Sequence, residues 1–327
     1  MTGAEGRRGG PDLSVTIAGV KLRNPVIAAS GTFGYGGEYR GLLDIAGLGG
    51  ICTKGLTLHP RPGNAGVRLH ETPSGLMNSI GLENPGVAGF IEGELPRLRR
   101  LGPAVIVNLA GADMAEYAAA AALLDGTEID MIELNISCPN VKAGGMAFGL
   151  DPAAAGAVTA AARKAAAHKP LMVKLSPNAP DLAAVARACV NAGADALSLV
   201  NTFKALAIDV IRRRPVFDRE SAGLSGPAIR PIALRMVWDI WAAQQSWAAG
   251  PGGPPGGPVP IVGMGGIAAA GDALEFLMAG AAAVQVGSAT FARPPAMNEI
   301  IAGIGRYMKE NGLSALGELT AAARYPR

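Results

Sequence analysis

The chain has 327 residues, a formal net charge of +3 and 17% charged side chains, so no polyanion-binding surface is announced and nucleic acid is not expected as a partner. No uninterrupted apolar run reaches the roughly 18 to 20 residues that a membrane span requires. The three cysteines lack the paired spacing of a zinc or iron-sulfur site, which suits a reducing compartment and excludes a metal cluster held by this chain alone.

Residues 1–12 are rich in glycine and arginine and lack the apolar core of a secretory signal. They read as a flexible tail on a cytoplasmic protein, with residues 13–327 as one domain. Hydrophobic residues make up 49% of the chain, enough for one large core. Ser14 to Ala18 and Val20 to Arg23, hinged on Gly19, read as a hairpin that plugs the lower end of the main fold. Eight short strand-like runs come next: Pro25 to Ala29, Gly50 to Thr53, Ala104 to Asn108, Asp130 to Leu134, Leu171 to Leu175, Ala196 to Val200, Val259 to Val262 and Ala283 to Val286.

Helical segments are expected between them at Gly86 to Arg100, Met114 to Leu124, Pro152 to His168, Asp181 to Ala192, Ile229 to Trp247 and Ala270 to Ala279. Several open with Asp or Pro, as helix starts do. Eight strand-then-helix units imply a closed parallel (β/α)8 TIM barrel, an α/β fold whose reactive face lies at the C-terminal ends of the strands. The Gly/Pro-rich stretch 250–258 cannot be regular structure and reads as an inert loop on the opposite face.

The residues that follow each apolar run are polar or glycine in every case: Ser30-Gly31, Lys54-Gly55, Asn108, Asn135, Lys174, Asn201-Thr202, Gly263-Met264-Gly265-Gly266 and Gly287-Ser288. Ordinary exposure explains any one of them, but eight in register point to a built rim. Lys54 and Lys174 emerge from otherwise apolar strands, and an ammonium leaving water needs an anion to meet it. Glycines at the last two strands suit a phosphate cradled by bare backbone amides. Gly263-Met264-Gly265-Gly266-Ile267-Ala268 also fits a loose dinucleotide pattern, yet the next strand ends Val284-Gln285-Val286-Gly287 without the acidic residue that pattern requires. A mononucleotide fits better.

Cys138 stands on the exit loop of the fourth strand, in Asn135-Ile136-Ser137-Cys138-Pro139-Asn140. Cys52 and Cys189 read as small buried hydrophobes, whereas Cys138 is flanked by amides, surroundings in which a thiol can titrate near working pH and serve as a general base. A thiol hydrolase would need an imidazole at the rim, and His59, His70 and His168 all lie outside the strand-end motifs. A non-catalytic phosphate-binding barrel is the remaining reading from a different class.

Cys52-Thr53-Lys54-Gly55, Met77-Asn78-Ser79-Ile80-Gly81-Leu82-Glu83-Asn84-Pro85-Gly86, the Asn135 to Lys142 stretch, Val173-Lys174-Leu175-Ser176-Pro177-Asn178 and Asn201-Thr202 stand in the order found in dihydroorotate dehydrogenase, a family that the chain resembles from about Ser14 to Arg293. Gly223-Leu224-Ser225-Gly226-Pro227-Ala228 reinforces the match. The resemblance implies one FMN per chain and the oxidation of dihydroorotate to orotate in pyrimidine (UMP) biosynthesis. Cys138 would remove the C5 proton while a hydride leaves C6 for the flavin.

The resemblance assigns the substrate to Lys54, Asn78, Ser79, Ile80, Gly81, Leu82, Asn135, Asn140, Asn201 and Thr202. It assigns the flavin to Ser30, Lys54, Gly55, Asn108, Asn135, Lys174, Val200, Gly226, Gly265, Gly266, Gly287 and Ser288, and no metal to any residue. Cysteine at 138 implies the soluble class 1, and Asn140-Val141-Lys142-Ala143-Gly144-Gly145 is similar to its NAD-linked branch, class 1B. There a homodimer of this chain would join a second subunit bearing FAD and a 2Fe-2S cluster in a heterotetramer. The fumarate-linked homodimers of class 1A and a dihydropyrimidine dehydrogenase barrel acting on uracil or thymine are the alternatives. Phe203-Lys204-Ala205 departs from the smaller turn usual in the family, and Glu83 and Ser288 replace Gln and Thr with little consequence expected.

Overall fold

The computed structural model describes residues 10–137, 148–249 and 257–324. Eight parallel strands close into a barrel in chain order: Val26–Ala28, Gly50–Cys52, Ala104–Leu109, Met131–Asn135, Leu171–Lys174, Ala196–Leu199, Ile261–Met264 and Ala283–Val286. The last pairs with the first through Gln285 and Ile27. The (β/α)8 expectation therefore holds, with strand boundaries within about two residues of those read from the sequence.

Strand alternation divides the core in two. Val105, Val107 and Leu109, Ile132 and Leu134, and Leu197 and Leu199 face outward and join the helices in one large cluster. The alternate positions face the barrel axis. At the lower end these are apolar: Ile27, Cys52, Ile106, Met131, Met172, Ala196, Val262 and Ala283, packed with Ile17 and Leu22. Ile17 and Leu22 come from the hairpin Val15–Ile17/Val20–Leu22, turned at Gly19 with φ 84°, so the hairpin stoppers the barrel as the sequence suggests. Higher up, the same faces carry Asn108, Glu133, Asn135, Lys174, Ser198 and Gln285.

Asp113, Asp151 and Asp181 each accept a hydrogen bond from the backbone N–H three residues on and start the helices Met114–Asp125, Pro152–Ala165 and Leu182–Asn191. The segment expected as one helix over 86–100 is broken into Gly86–Gly89, a π turn at Phe90–Glu94 and Leu95–Arg99. Pro96 has no N–H to give to the carbonyl four residues back, which forces the wider turn ahead of it. The sequence reading did not anticipate the amphipathic helix Ala296–Glu310 or a four-stranded antiparallel sheet. In that sheet Leu69–Thr72 and Gly75–Asn78 from the loop after the second strand pair with Phe203–Ala205 and Ala222–Ser225 from the loop after the sixth. Residues 250–256 of the Gly/Pro-rich stretch lie outside the described residues.

Leu22 is 1% exposed in the stopper. Leu22→Ala should destabilise the chain by about 2 to 5 kcal/mol, measured by urea unfolding, through lost burial plus an unfilled cavity. A loss below about 1 kcal/mol would show that the hairpin does not seal the barrel.

Candidate active site

The side chain of Glu133, two residues before Asn135 on the fourth strand, shares its inward face and is fully buried. Its Oε1 accepts from Asn108 Nδ2 at 2.6 Å and Cys52 Sγ at 3.2 Å, and its Oε2 accepts from Gln285 Nε2 at 2.6 Å and Ser198 Oγ at 2.9 Å. The Lys174 ammonium stands 3.7 Å from Oε1 and donates to Ser30 Oγ at 3.2 Å. Burial pushes the Glu133 carboxyl upward, but the charge of Lys174 and the donors Asn108, Gln285 and Ser198 outweigh it and hold the carboxyl below its ordinary range. The site thus contains an ionised pair sunk in the barrel.

That pair revises the inference drawn from the lysines. The negative charge meeting Lys174 is supplied first by the protein, and so is that at Lys54, which lies 3.8 Å from Glu83. Glu83 also pairs with Arg68 at 2.5 Å, so a position expected to matter little is the counter-charge of a rim lysine. Glu133 was detectable in the sequence by period two from Asn135, as Ser198 and Gln285 were from their own strand ends. Each sits inside an apolar run, where its polarity is easily read as noise.

Above the pair, asparagines touch in series. Asn135 Nδ2 donates to Asn108 Oδ1 at 3.2 Å, and Asn201 Nδ2 donates to Asn135 Oδ1 at 3.2 Å. Thr202 N donates to Asn201 Oδ1 at 2.8 Å. Asn78 reaches the same region from the antiparallel sheet, where its Nδ2 donates to Gly223 O at 3.2 Å and Gly223 lies against Thr202. Four of the residues assigned to the pyrimidine, Asn78, Asn135, Asn201 and Thr202, are therefore brought together. Gly55 packs against this group so closely that a Cβ would stand 2.9 Å from Asn108 Oδ1.

Glu83, the partner of Lys54, directly follows the loop 78–82. The carbonyls of Ser79 and Ile80 accept from Asn64, and that of Leu82 accepts from Asn84 Nδ2 at 2.6 Å. Among the described residues the backbone N–H groups of Ile80, Gly81 and Leu82 take no partner. With Lys54 they supply what an anion needs. A cavity of about 320 Å3 is lined by Tyr35, Lys54, Arg61, Glu83 and Asn84.

The glycines form a second cluster. A Cβ on Gly265 would meet Val200 at 3.3 Å, and one on Gly266, whose φ is 75°, would come within 2.8 Å of Gly226 O. Gly287 sits beside Ala29 and Thr32 with nothing closer than 3.5 Å to a Cβ, so protein packing does not demand glycine there. Ser288 precedes the short helix Ala289–Ala292. Cys138 and Asn140 lie outside the described residues. Cys52 and Cys189 are buried as expected; burial, reinforced by Glu133, holds the Cys52 thiol well above its ordinary value, and burial pushes Cys189 up to about 12.

Residues 12–308 match the family model for dihydroorotate dehydrogenase. The chain belongs to the dihydroorotate dehydrogenase family. Among its relatives, a protein of Petrotoga mobilis named dihydroorotate dehydrogenase B (NAD(+)), catalytic subunit, is 53% identical over 94% of this chain and 98% of that one. Proteins of the same name from Geotalea daltonii and Pelobacter propionicus are 52% and 50% identical, over 96% and 95% of this chain and 99% and 98% of theirs. Among the described residues of this dihydroorotate dehydrogenase family member, no helix is long and apolar enough to cross a membrane and no cluster of His, Cys, Asp and Glu could hold a metal ion.

A group whose folded value is depressed contributes stability that is complete above its unfolded value and is lost as pH falls through the folded one. Glu133→Gln should therefore unfold at lower urea than the parent at pH 7, and the gap should narrow as pH drops below about 4.5, the ordinary value of this carboxyl. A gap that stays constant to the acid limit of folding would contradict an ionised Glu133.

Proposed function

We propose that the chain is the catalytic subunit of a cytoplasmic, NAD-linked dihydroorotate dehydrogenase, which oxidises dihydroorotate to orotate in pyrimidine biosynthesis. The observation that carries this reading is the convergence on one barrel rim of Lys54, the buried Lys174 and the Asn108, Asn135, Asn201 series, in a chain similar over nearly its whole length to relatives bearing that name. The NAD(+) in those names favours class 1B over the fumarate-linked class.

The residues present fit FMN. Bare backbone at Gly226, Gly265, Gly266 and Gly287 with Ser288 would take the phosphate and ribityl end, and Gly287 keeps its Cβ space open. Ser30, Gly55, Asn108, Lys174 and Val200 would hold the ring, with Lys174 offering a fixed positive charge that is already oriented by Ser30 and Glu133. When bound, the flavin would supply the hydride acceptor for C6. Cys138 would take the C5 proton. Lys54 and the N–H groups of Ile80, Gly81 and Leu82 would receive the carboxylate, while Asn78, Ser79, Asn135, Asn140, Asn201 and Thr202 would match the donors and acceptors of the ring. Two chains and two electron-transfer subunits carrying FAD and a 2Fe-2S cluster would complete the assembly, a reading that the words catalytic subunit in the relatives' names support and that the three cysteines of this chain, too few for a four-cysteine cluster, permit.

The purified chain should be yellow and should bleach on addition of dihydroorotate under anaerobic conditions; a colourless chain that takes up no FMN contradicts the reading, and tighter competition by uracil than by orotate moves the substrate to the uncharged pyrimidines. Cys138→Ser should slow that bleaching by about 10² to 10⁴-fold in stopped flow and displace its pH optimum upward, because a hydroxyl is a far weaker acid than a thiol and supplies almost none of the ionised base at working pH. Bleaching at the parental rate removes Cys138 from the proton transfer.

A further inference from the structure

Glu133 touches neither of the surfaces assigned to substrate, yet Asn135 and Asn201, which form part of one of them, are linked to it through Asn108 by hydrogen bonds that run in a single direction. An ionised carboxylate only accepts, so Asn108 must turn its NH2 toward Glu133 and its carbonyl oxygen toward Asn135. Asn135 can meet that oxygen only with its NH2, which leaves its own oxygen to accept from Asn201 Nδ2 and from Ser137 N at 3.3 Å. Asn201 in turn accepts from Thr202 N through its oxygen. The series is pinned at both ends, by a carboxylate below and by the backbone N–H groups of Ser137 and Thr202 above.

We infer that Glu133 is a positioning residue that sets the donor and acceptor polarity of the amides facing the pyrimidine, through Asn108 to Asn135 and Asn201. This rests on the proposed function, because it takes Asn135 and Asn201 to read the ring. Without an acceptor at 133, Asn108 gains nothing from presenting its NH2 downward and can reverse, which removes the acceptor that orients Asn135. A carboxamide that faces a ring edge with the wrong group sets donor against donor or oxygen against oxygen, a mismatch that costs more than a missing bond.

Gln285 supplies the means of separating acceptor from charge. Its Nε2 donates to Glu133 while its Oε1 is buried without a partner. In Glu133→Gln the new carbonyl can still accept from Asn108, and the new NH2 can donate to Gln285 once that amide turns over. Glu133→Met keeps the length and removes every acceptor.

The test is equilibrium titration of the FMN-loaded chain with orotate, followed through the flavin spectrum. Relative to the parent, Glu133→Gln should keep the dissociation constant within about threefold, and Glu133→Met should raise it at least about tenfold, the loss expected for a buried amide left mismatched. Parental affinity in Glu133→Met, or equal losses in the two variants, would overturn the inference, since packing or charge would then be the operative property. If Glu133→Met does not fold, Asn108→Leu cuts the same series with Glu133 and Lys174 in place: a loss of at least about tenfold in orotate affinity with FMN affinity kept within about threefold supports the inference, and parental orotate affinity, or a loss matched by that of FMN, overturns it. Failure of the parent chain itself to bind FMN or orotate would instead strike the proposed function.

Discussion

A carboxylate and an ammonium placed together inside a closed barrel constrain everything built above them. Moving two such charges out of water costs several kcal/mol for each ion, and their attraction offsets this only when the remaining lone pairs and N–H groups are also satisfied. Glu133 meets that condition with four further donors, from the second, third, sixth and eighth barrel strands, while Lys174 comes from the fifth. Five strands besides its own therefore converge on one carboxylate. Such a centre tolerates little displacement, and the side chains standing one pleat higher inherit its position.

This explains how the barrel divides its interior. Below the pair the axis is filled by aliphatic and thioether side chains and closed by the hairpin, so water has no route to the carboxylate from that side. Above it the axis becomes polar and opens to the rim, where the loop after the second strand and the excursion after the sixth are stitched into one antiparallel sheet. That sheet carries Asn78 to Gly223, which lies against Thr202, and the backbone N–H groups of Ile80 to Leu82 follow it without partners among the described residues.

Much of this was legible in the sequence because parallel strands buried on both faces appear as short apolar runs, and their polar successors fall at one end of the barrel. Lys54, Asn108, Asn135, Lys174 and Asn201 were found that way, and of these Asn108, Asn135 and Asn201 stand in contact. Glu133, Ser198 and Gln285 were harder to see, since a strand of four or five residues gives only two or three inward positions and one polar residue barely disturbs its apolar look. The antiparallel sheet was missed for a different reason: its strands of three or four residues are half exposed, and the pairing that joins its two halves, Asn78 with Gly223, spans 145 positions of sequence, which no local pattern reports. The helix Ala296–Glu310 carries a readable stripe in Met297, Ile300, Ile304 and Met308 and follows the eighth strand, where the barrel pattern calls for a helix that the sequence reading left unplaced.

The most direct measurement is a crystal structure of the chain with FMN and orotate bound. The expected result places the flavin within hydrogen-bonding reach of Lys174 Nζ and Ser30, and the edges of the orotate ring against Asn78, Asn135 and Asn201, with the Glu133 carboxylate still gathering its donors beneath. A flavin seated elsewhere, or an orotate whose ring makes no contact with those amides, would contradict it.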